Sequence, residues 1–167
     1  MFELEKTNEI ERLCRLTKSD SGVSGAELAK AHMSLGQALG MHMKFLDPQD
    51  TTVVAILRGG IFFAEGLFFA LDCGFQLYDP SASIFKRPLT KHVILADAVI
   101  NTGSTILKIL EPDMYVACCV INEKAVASFD RQLFAVRVSK NSFVGAPIPK
   151  QQGGVGPDTT MRLFNQI

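Results

Sequence analysis

Five short runs of β-branched and apolar residues, at 53–57, 75–78, 93–99, 114–121 and 133–138, alternate with stretches that carry a helical pattern. The runs are largely apolar at consecutive positions rather than at every second one, so they must be covered on both faces. Strands of that kind belong to parallel sheets, whose neighbours are joined by crossovers long enough to hold a helix. Residues 61–71, 104–111 and 123–130 supply candidate helices; Pro112 stops the second and Asn122 is placed to cap the third. The pattern predicts an α/β fold with a mostly parallel open β-sheet flanked by helices.

Upstream of the first run, residues 2–16 carry Leu4, Ile10, Leu13 and Leu16 among charged residues and read as an amphipathic helix. The serine- and glycine-rich segment 19–25 breaks it. Ser24 and Glu27 then stand at capping-box spacing, opening a second helix that runs to about residue 45 before Pro48. The tail from Gly145, with Pro147, Pro149, Gly153, Gly154, Gly156 and Pro157, reads as an irregular C-terminal hood rather than sheet. The expected organisation is a single domain over 1–167: N-terminal helices over 1–46, an α/β core over 53–139 and the hood over 140–167. A chain of 167 residues can bury a sizeable core without disulfides or metals.

Lys plus Arg and Asp plus Glu both total 17, so net charge exerts no general pull toward nucleic acid or a membrane, and any anion site must be local. Cys14, Cys73, Cys118 and Cys119 lack metal-ligand spacing and read as reduced, largely buried thiols, which places the protein in the cytoplasm. The N-terminus is too charged for a secretory segment. No apolar run approaches the ~18 residues of a membrane span.

The stretch V-I-L-A-D-A-V-I-N-T-G-S-T-I, residues 93–106, carries a strand pattern into a helix pattern through Asp97 and the cluster Asn101, Thr102, Gly103, Ser104 and Thr105. In an open parallel sheet, ligands bind beyond the carboxyl ends of the strands. A helix starting near Ser104 would aim free N–H groups and a positive dipole end at the loop, which suits a phosphate, while Asp97 suits sugar hydroxyls or a hydrated magnesium ion. On spacing alone, helix capping explains Asn101 to Thr105 equally well, because caps and phosphate cradles use the same residues. A second loop breaks the tie. Arg58, Gly59 and Gly60 follow the first run and would emerge at the same sheet edge, offering a guanidinium and backbone N–H groups to a diphosphate.

With both loops in view, the sequence resembles the type I phosphoribosyltransferases, which transfer ribose 5-phosphate from phosphoribosyl diphosphate (PRPP) to a nitrogen base. Residues 93–105 resemble the family's PRPP motif and residues 54–67 its diphosphate loop. The uracil enzymes look nearest: a single acid in the PRPP motif parallels Asp97 with Ala98, and residues 154–164 are similar to their C-terminal motif. The resemblance implies that Asp97 holds the ribose hydroxyls, Asn101 to Thr105 the 5-phosphate, and Arg58, Gly59 and Gly60 the diphosphate. Asp97 and Arg58 would carry the catalytic load. Main-chain groups near Val155, Gly156 and Asp158 would read the base. Magnesium would arrive with PRPP rather than on protein ligands, and the chain would form a homo-oligomer, a dimer. The implied activity is transfer to a pyrimidine-type base, uracil first, with diphosphate released. A non-catalytic PRPP- or nucleotide-binding regulator on the same fold is the alternative.

Several residues modulate that expectation. Asn101 stands where purine enzymes carry an aspartate general base, and an amide cannot accept that proton, which disfavours a purine substrate. Ala98 replaces a second acid found in many members. Residues 79–91 are far shorter than the catalytic arm of the uracil enzymes; Lys86 and Arg87 within them read first as a solvated turn, with a ligand clamp as the alternative because they fall between two strands near the proposed diphosphate site. His32, His42 and His92 have no metal-ligand spacing. The pairs Phe62-Phe63 and Phe68-Phe69 should be buried in the helix layer, and Arg162 should tie down the tail.

Overall fold

The computed structural model describes residues 1–82, 84–141 and 144–167. Its centre is a sheet of six parallel strands: β1 (Phe2–Glu3), β2 (Thr51–Ile56), β3 (Gly74–Tyr78), β4 (His92–Ile100), β5 (Tyr115–Asn122) and β6 (Leu133–Ser139), in the order β1-β6-β5-β4-β2-β3. The helices are α1 (Asn8–Thr17), α2 (Gly25–Gly40), α3 (Ile61–Leu71), α4 (Ser104–Leu107), α5 (Glu123–Val126) and α6 (Thr159–Leu163). Strands β7 (Val144–Ala146) and β8 (Val155–Pro157) form a separate two-stranded parallel ladder.

The continuous apolar runs do what their pattern requires. Along β2, Val53 and Ala55 join a core with Leu35, Leu39, Phe63 and Leu67 of α2 and α3, while Val54 and Ile56 join a second core with Ile106, Met114, Ala125 and Phe129. The adjacent thiols of Cys118 and Cys119 divide the same way, one in each core, and all four cysteines are free. Among the described residues no helix is long and apolar enough to cross a membrane.

Four details depart from the sequence pattern. Residues 2–3 are strand, not helix: the Leu4 N–H donates to the Ala135 carbonyl at 2.9 Å, Phe2 stacks near Phe134, and α1 begins only where the Thr7 hydroxyl accepts the Ile10 N–H. Ser24 precedes α2 without a side-chain cap bond, because Gly25 enters at a φ of 58° that the capping box does not use. Helices α4 and α5 are single turns. In α4 the N–H groups of Ile109 and Leu110 converge on the Ile106 carbonyl, and Pro112 bars Glu111 from helical space. The hood, expected to be irregular, contains β7, β8 and α6.

Helix α3 is apolar almost all round, yet only part of it is enclosed. Phe63 is buried and Phe62 half-buried, whereas Phe69 is 59% exposed. Backbone contact, not side-chain interdigitation, sets its distance from α2. A Cβ at Gly66 would stand 2.0 Å from the Met33 carbonyl oxygen, and one at Gly36 would stand 2.1 Å from that of Phe63. Gly66→Ala is therefore expected to lower unfolding free energy by about 2 kcal/mol, the usual cost of overpacking. Urea denaturation of the two proteins checks this, and unchanged stability would show that the helices separate freely.

Candidate functional site

The strand order reverses at β2. The chain leaves β2 through α3 to β3 on one side, then returns to place β4 on the other. Crevices form at the carboxyl ends of strands at such switch points. Here that crevice holds the Arg58-Gly59-Gly60 turn after β2 and the carboxyl-terminal part of β4.

The turn is pressed into β4. The Gly60 N–H donates to the Ile56 carbonyl at 3.0 Å. A Cβ on Gly60 would lie 2.6 Å from the Ile56 oxygen, 2.7 Å from the Ala96 oxygen and 3.0 Å from the Asp97 Cα, so no larger residue fits without displacing backbone. Asp97 lies inside β4, three residues before its end, level with Cys118 of β5, rather than at the strand terminus. The paired part of β2 stops at Ala55 opposite Ala96, which opens one flank of Asp97 to the crevice.

Two cavities adjoin there. One, of about 260 Å³, is lined by Arg58, Gly59, Asp97, Asn101, Asp158 and Thr160 among others. The other, of about 600 Å³, is bordered by Lys18, Asn101, Asn122, Arg137, Lys140 and Gln151. They share Val99, Asn101 and Thr159. Arg58, Gly59, Asp97, Ala98 and Asn101 thus meet on the smaller cavity, with Gly60 packed behind them.

The remaining expected residues are placed differently. Thr102, Gly103, Ser104 and Thr105 form the turn beyond Asn101 and line neither cavity. Gly103 adopts a φ of 78°, and the Thr102 hydroxyl accepts the Ser104 N–H at 3.4 Å, so local capping is present alongside the proposed cradle. Because α4 is one turn long, its dipole adds less than a full helix would. Val155 and Gly156 pair with β7 and also line neither cavity, whereas Asp158 reaches the smaller one and caps α6 by accepting the Met161 N–H at 3.0 Å.

Arg58 is engaged by the tail. Its guanidinium lies 5.5 Å over the Phe164 ring and donates to Gln166 Oε1 at 3.1 Å. Arg87 is not near the site. It pairs with Glu111 and Asp113 just before β5, at the opposite edge of the sheet, because residues 84–91 run back along the sheet as a strap with Phe85 on Tyr78. Arg162 is the expected tie: buried, it donates to the carbonyls of Val23, Thr17 and Leu16 and to the Ser21 hydroxyl. Burial depresses its pKa.

The histidines border neither cavity. His42 stacks on Phe2 and His92 lies by Tyr115. His32 is buried with both ring nitrogens unpartnered, and burial with the nearby Arg162 and Arg137 charges lowers its pKa to about 3. Arg137, Lys18 and Lys140 escaped notice in the sequence because no motif links them and Lys18 lies far from the other two. Arg137 alone left a signal there: a cation inside the apolar run of β6.

No protein-family model matches the chain, and no curated protein matches it. Solved structures do. The AQ2163 protein from Aquifex aeolicus is similar over 85% of this chain and 91% of its own, with a TM-score of 0.61 at 15% identity. APRTase from Giardia lamblia, complexed with 9-deazaadenine, is similar over 66% of this chain and 80% of its own, with a TM-score of 0.53 at 19% identity. For a hypoxanthine-guanine phosphoribosyltransferase from Bacillus anthracis the shares are 70% and 82%, with a TM-score of 0.53 at 12% identity. The chain has the type I phosphoribosyltransferase fold. At these identities the likeness is one of fold.

The half-buried Asp97 carboxyl has its pKa raised to about 7 by loss of water, against the opposing N–H bonds of Ala98 and Val99. Between an unfolded value of 3.8 and about 7, the native state keeps a proton that the unfolded chain has released, so this group removes stability as pH rises across that window. His32 acts oppositely: its native value of about 3 lies below 6.5, so it removes stability as pH falls from about 6.5. Asp97→Asn isolates the first effect. The variant's melting temperature should gain on the natural protein's progressively from about pH 4 to about pH 7 and then level off; a constant difference would show that Asp97 keeps its ordinary pKa.

Proposed function

We propose that this protein is a PRPP-dependent phosphoribosyltransferase whose acceptor is a pyrimidine-type base, uracil being the first candidate. One observation carries the proposal: the loops after β2 and β4 bring a guanidinium, a glycine turn and a carboxylate onto one cavity at the switch point of the sheet. The similarity of fold supports it. Preference for a pyrimidine rests on the sequence, where Asn101 supplies no proton acceptor of the kind an aspartate would.

In this proposal Asp97 accepts hydrogen bonds from the ribose hydroxyls. The Asn101, Thr102, Gly103, Ser104 and Thr105 turn receives the 5-phosphate, and Arg58 with the Gly59 and Gly60 turn receives the diphosphate. The glycosidic C–O bond to diphosphate breaks and a C–N bond to the base forms. The chain's part is positioning and stabilisation of charge on ribose and leaving group. Among the described residues no group of three or more His, Cys, Asp or Glu is arranged to hold a metal ion. The smaller cavity nevertheless has two carboxylates on its wall, Asp97 and Asp158, which suits a hydrated magnesium ion brought in by phosphate oxygens. That ion would neutralise charge on the departing diphosphate. The base would enter the larger cavity beside Thr159, which both cavities share, with Asp158 on the smaller cavity next to it.

A second reading, a non-catalytic PRPP or nucleotide sensor, is favoured by Arg58 being held on Phe164 and Gln166 and by the strap lying away from the crevice. Incubation with PRPP, magnesium and a panel of bases, with diphosphate and nucleotide assayed, separates the two. Product with a pyrimidine is expected. A raised melting temperature with PRPP but no product from any base would leave the sensor standing. Asp97→Asn should weaken PRPP binding by about tenfold or more. Natural-protein affinity should climb as pH passes about 7 and Asp97 ionises. Calorimetry at pH 6 and pH 8 checks both, and full affinity in the variant would remove Asp97 from the site.

A further inference from the structure

Arg137 is a half-buried cation in β6. Its Nε is buried without a hydrogen-bond partner, and it forms no hydrogen bond or ion pair among the described residues. Its charge reaches Cys14, Cys118, Cys119 and His32, a set of raised-pKa thiols and a neutral imidazole in which no anion lies. A guanidinium N–H withdrawn from water with no acceptor, as the Arg137 Nε is, is costly to keep.

The surroundings add to the imbalance. Lys18, Arg137 and Lys140 border the 600 Å³ cavity against a single carboxylate, Asp20. Both lysines and Asp20 are exposed, which leaves Arg137 as the inner charge. The two buried polar side chains that border it are occupied: Thr17 donates its hydroxyl to the Cys14 carbonyl at 2.9 Å, and Asn122 donates to the Asn141 carbonyl at 2.9 Å and accepts the Lys124 N–H at 3.0 Å. Arg137 is the charged side chain among the inner groups, its Nε has no partner among the described residues, and its planar fork matches a carboxylate or another charged oxygen pair.

We propose that the larger cavity selects an acidic heterocyclic base, and that Arg137 is the specificity residue that pairs with its anionic group. The proposal rests on the reading above that this cavity receives the acceptor. It deepens that reading by separating an acidic ring from a neutral one of the same size.

The test is isothermal titration of the full chain with three matched probes: uracil, 6-carboxyuracil and the methyl ester of the latter. The acid should bind at least about tenfold more tightly than uracil or the ester, as a charge-assisted pair at a partly dry site does. Arg137→Gln should bring the three within about threefold of one another, and Arg137→Lys should restore part of the preference. The rim control, Lys18→Gln with Lys140→Gln, should keep it. Equal affinities in the natural protein, no binding of the acid at millimolar concentration, a preference that survives Arg137→Gln, or its loss in the rim control would each overturn the assignment. If Arg137→Gln does not fold, the acid-against-ester comparison in the natural protein and the rim control still decide. PRPP with magnesium is titrated separately. If it gives no heat, the transferase reading falls while the matched probes still judge Arg137.

Discussion

The reversal of strand order at β2 is the constraint on which the rest of the molecule depends. Because β3 pairs with one edge of β2 and β4 with the other, the loops that leave the carboxyl ends of β2 and β4 part rather than cover one another. The sheet can tolerate that order only if every inner strand is apolar on both faces, since helices must then lie on both sides. Gly60 makes the crevice usable. With no side chain, it lets the turn after β2 seat directly on the Asp97 backbone, so the guanidinium and the carboxylate share one cavity. Fold and site are here one constraint expressed at two scales.

Charge in this neutral chain is organised locally. Surface pairs such as Arg12 with Glu9 or Arg87 with Asp113 fasten single elements and contribute little each. Two arginines act differently. Arg162 is buried but satisfied by main-chain carbonyls at the α1–α2 turn, so it locks the hood to the N-terminal helices without needing an anion. Arg137 is half-buried and unsatisfied. The contrast separates a structural cation from the one proposed to take a ligand, because a carbonyl set completes the first and nothing among the described residues completes the Nε of the second.

Much of this was legible in the sequence, for a physical reason. Runs such as Val53 to Leu57 and Val93 to Val99 are apolar at successive positions, and only a doubly covered strand accepts that, so β2 to β6 and α3 could be read directly. Single turns could not. The pattern at residues 104–111 is helical, but Pro112 and the convergence on the Ile106 carbonyl end α4 after Leu107. Strand β1 was hidden because two residues show no period at all; pairing with β6 defines it. At the site, Arg58, Gly59 and Asp97 were visible because each punctuates an apolar run. The larger cavity was not, since Lys18, Arg137 and Gln151 come together only through the topology.

The ligand-clamp alternative for Lys86 and Arg87 failed for an instructive reason. A connection between two parallel strands of one sheet, here β3 and β4 on either side of β2, must travel from the carboxyl end of one to the amino end of the next, so the segment that carries Lys86 and Arg87 is a crossover before it can be a lid. Gln76 holds the Lys86 carbonyl at 2.8 Å, Phe85 packs on Tyr78, and Arg87 fastens the far end to Asp113. A strap pinned along its length cannot also close over the crevice. The segments that border the two cavities are instead the α1–α2 turn and the hood, joined to each other by Arg162 and by Ser19 with Gln151 at 3.4 Å. In the proposed transfer, exclusion of water from the diphosphate would fall to the hood, and the Phe164 ring and Gln166 that hold Arg58 belong to the same tail. Release of Arg58 toward a ligand would, by this connection, require the contacts with Phe164 and Gln166 to break together.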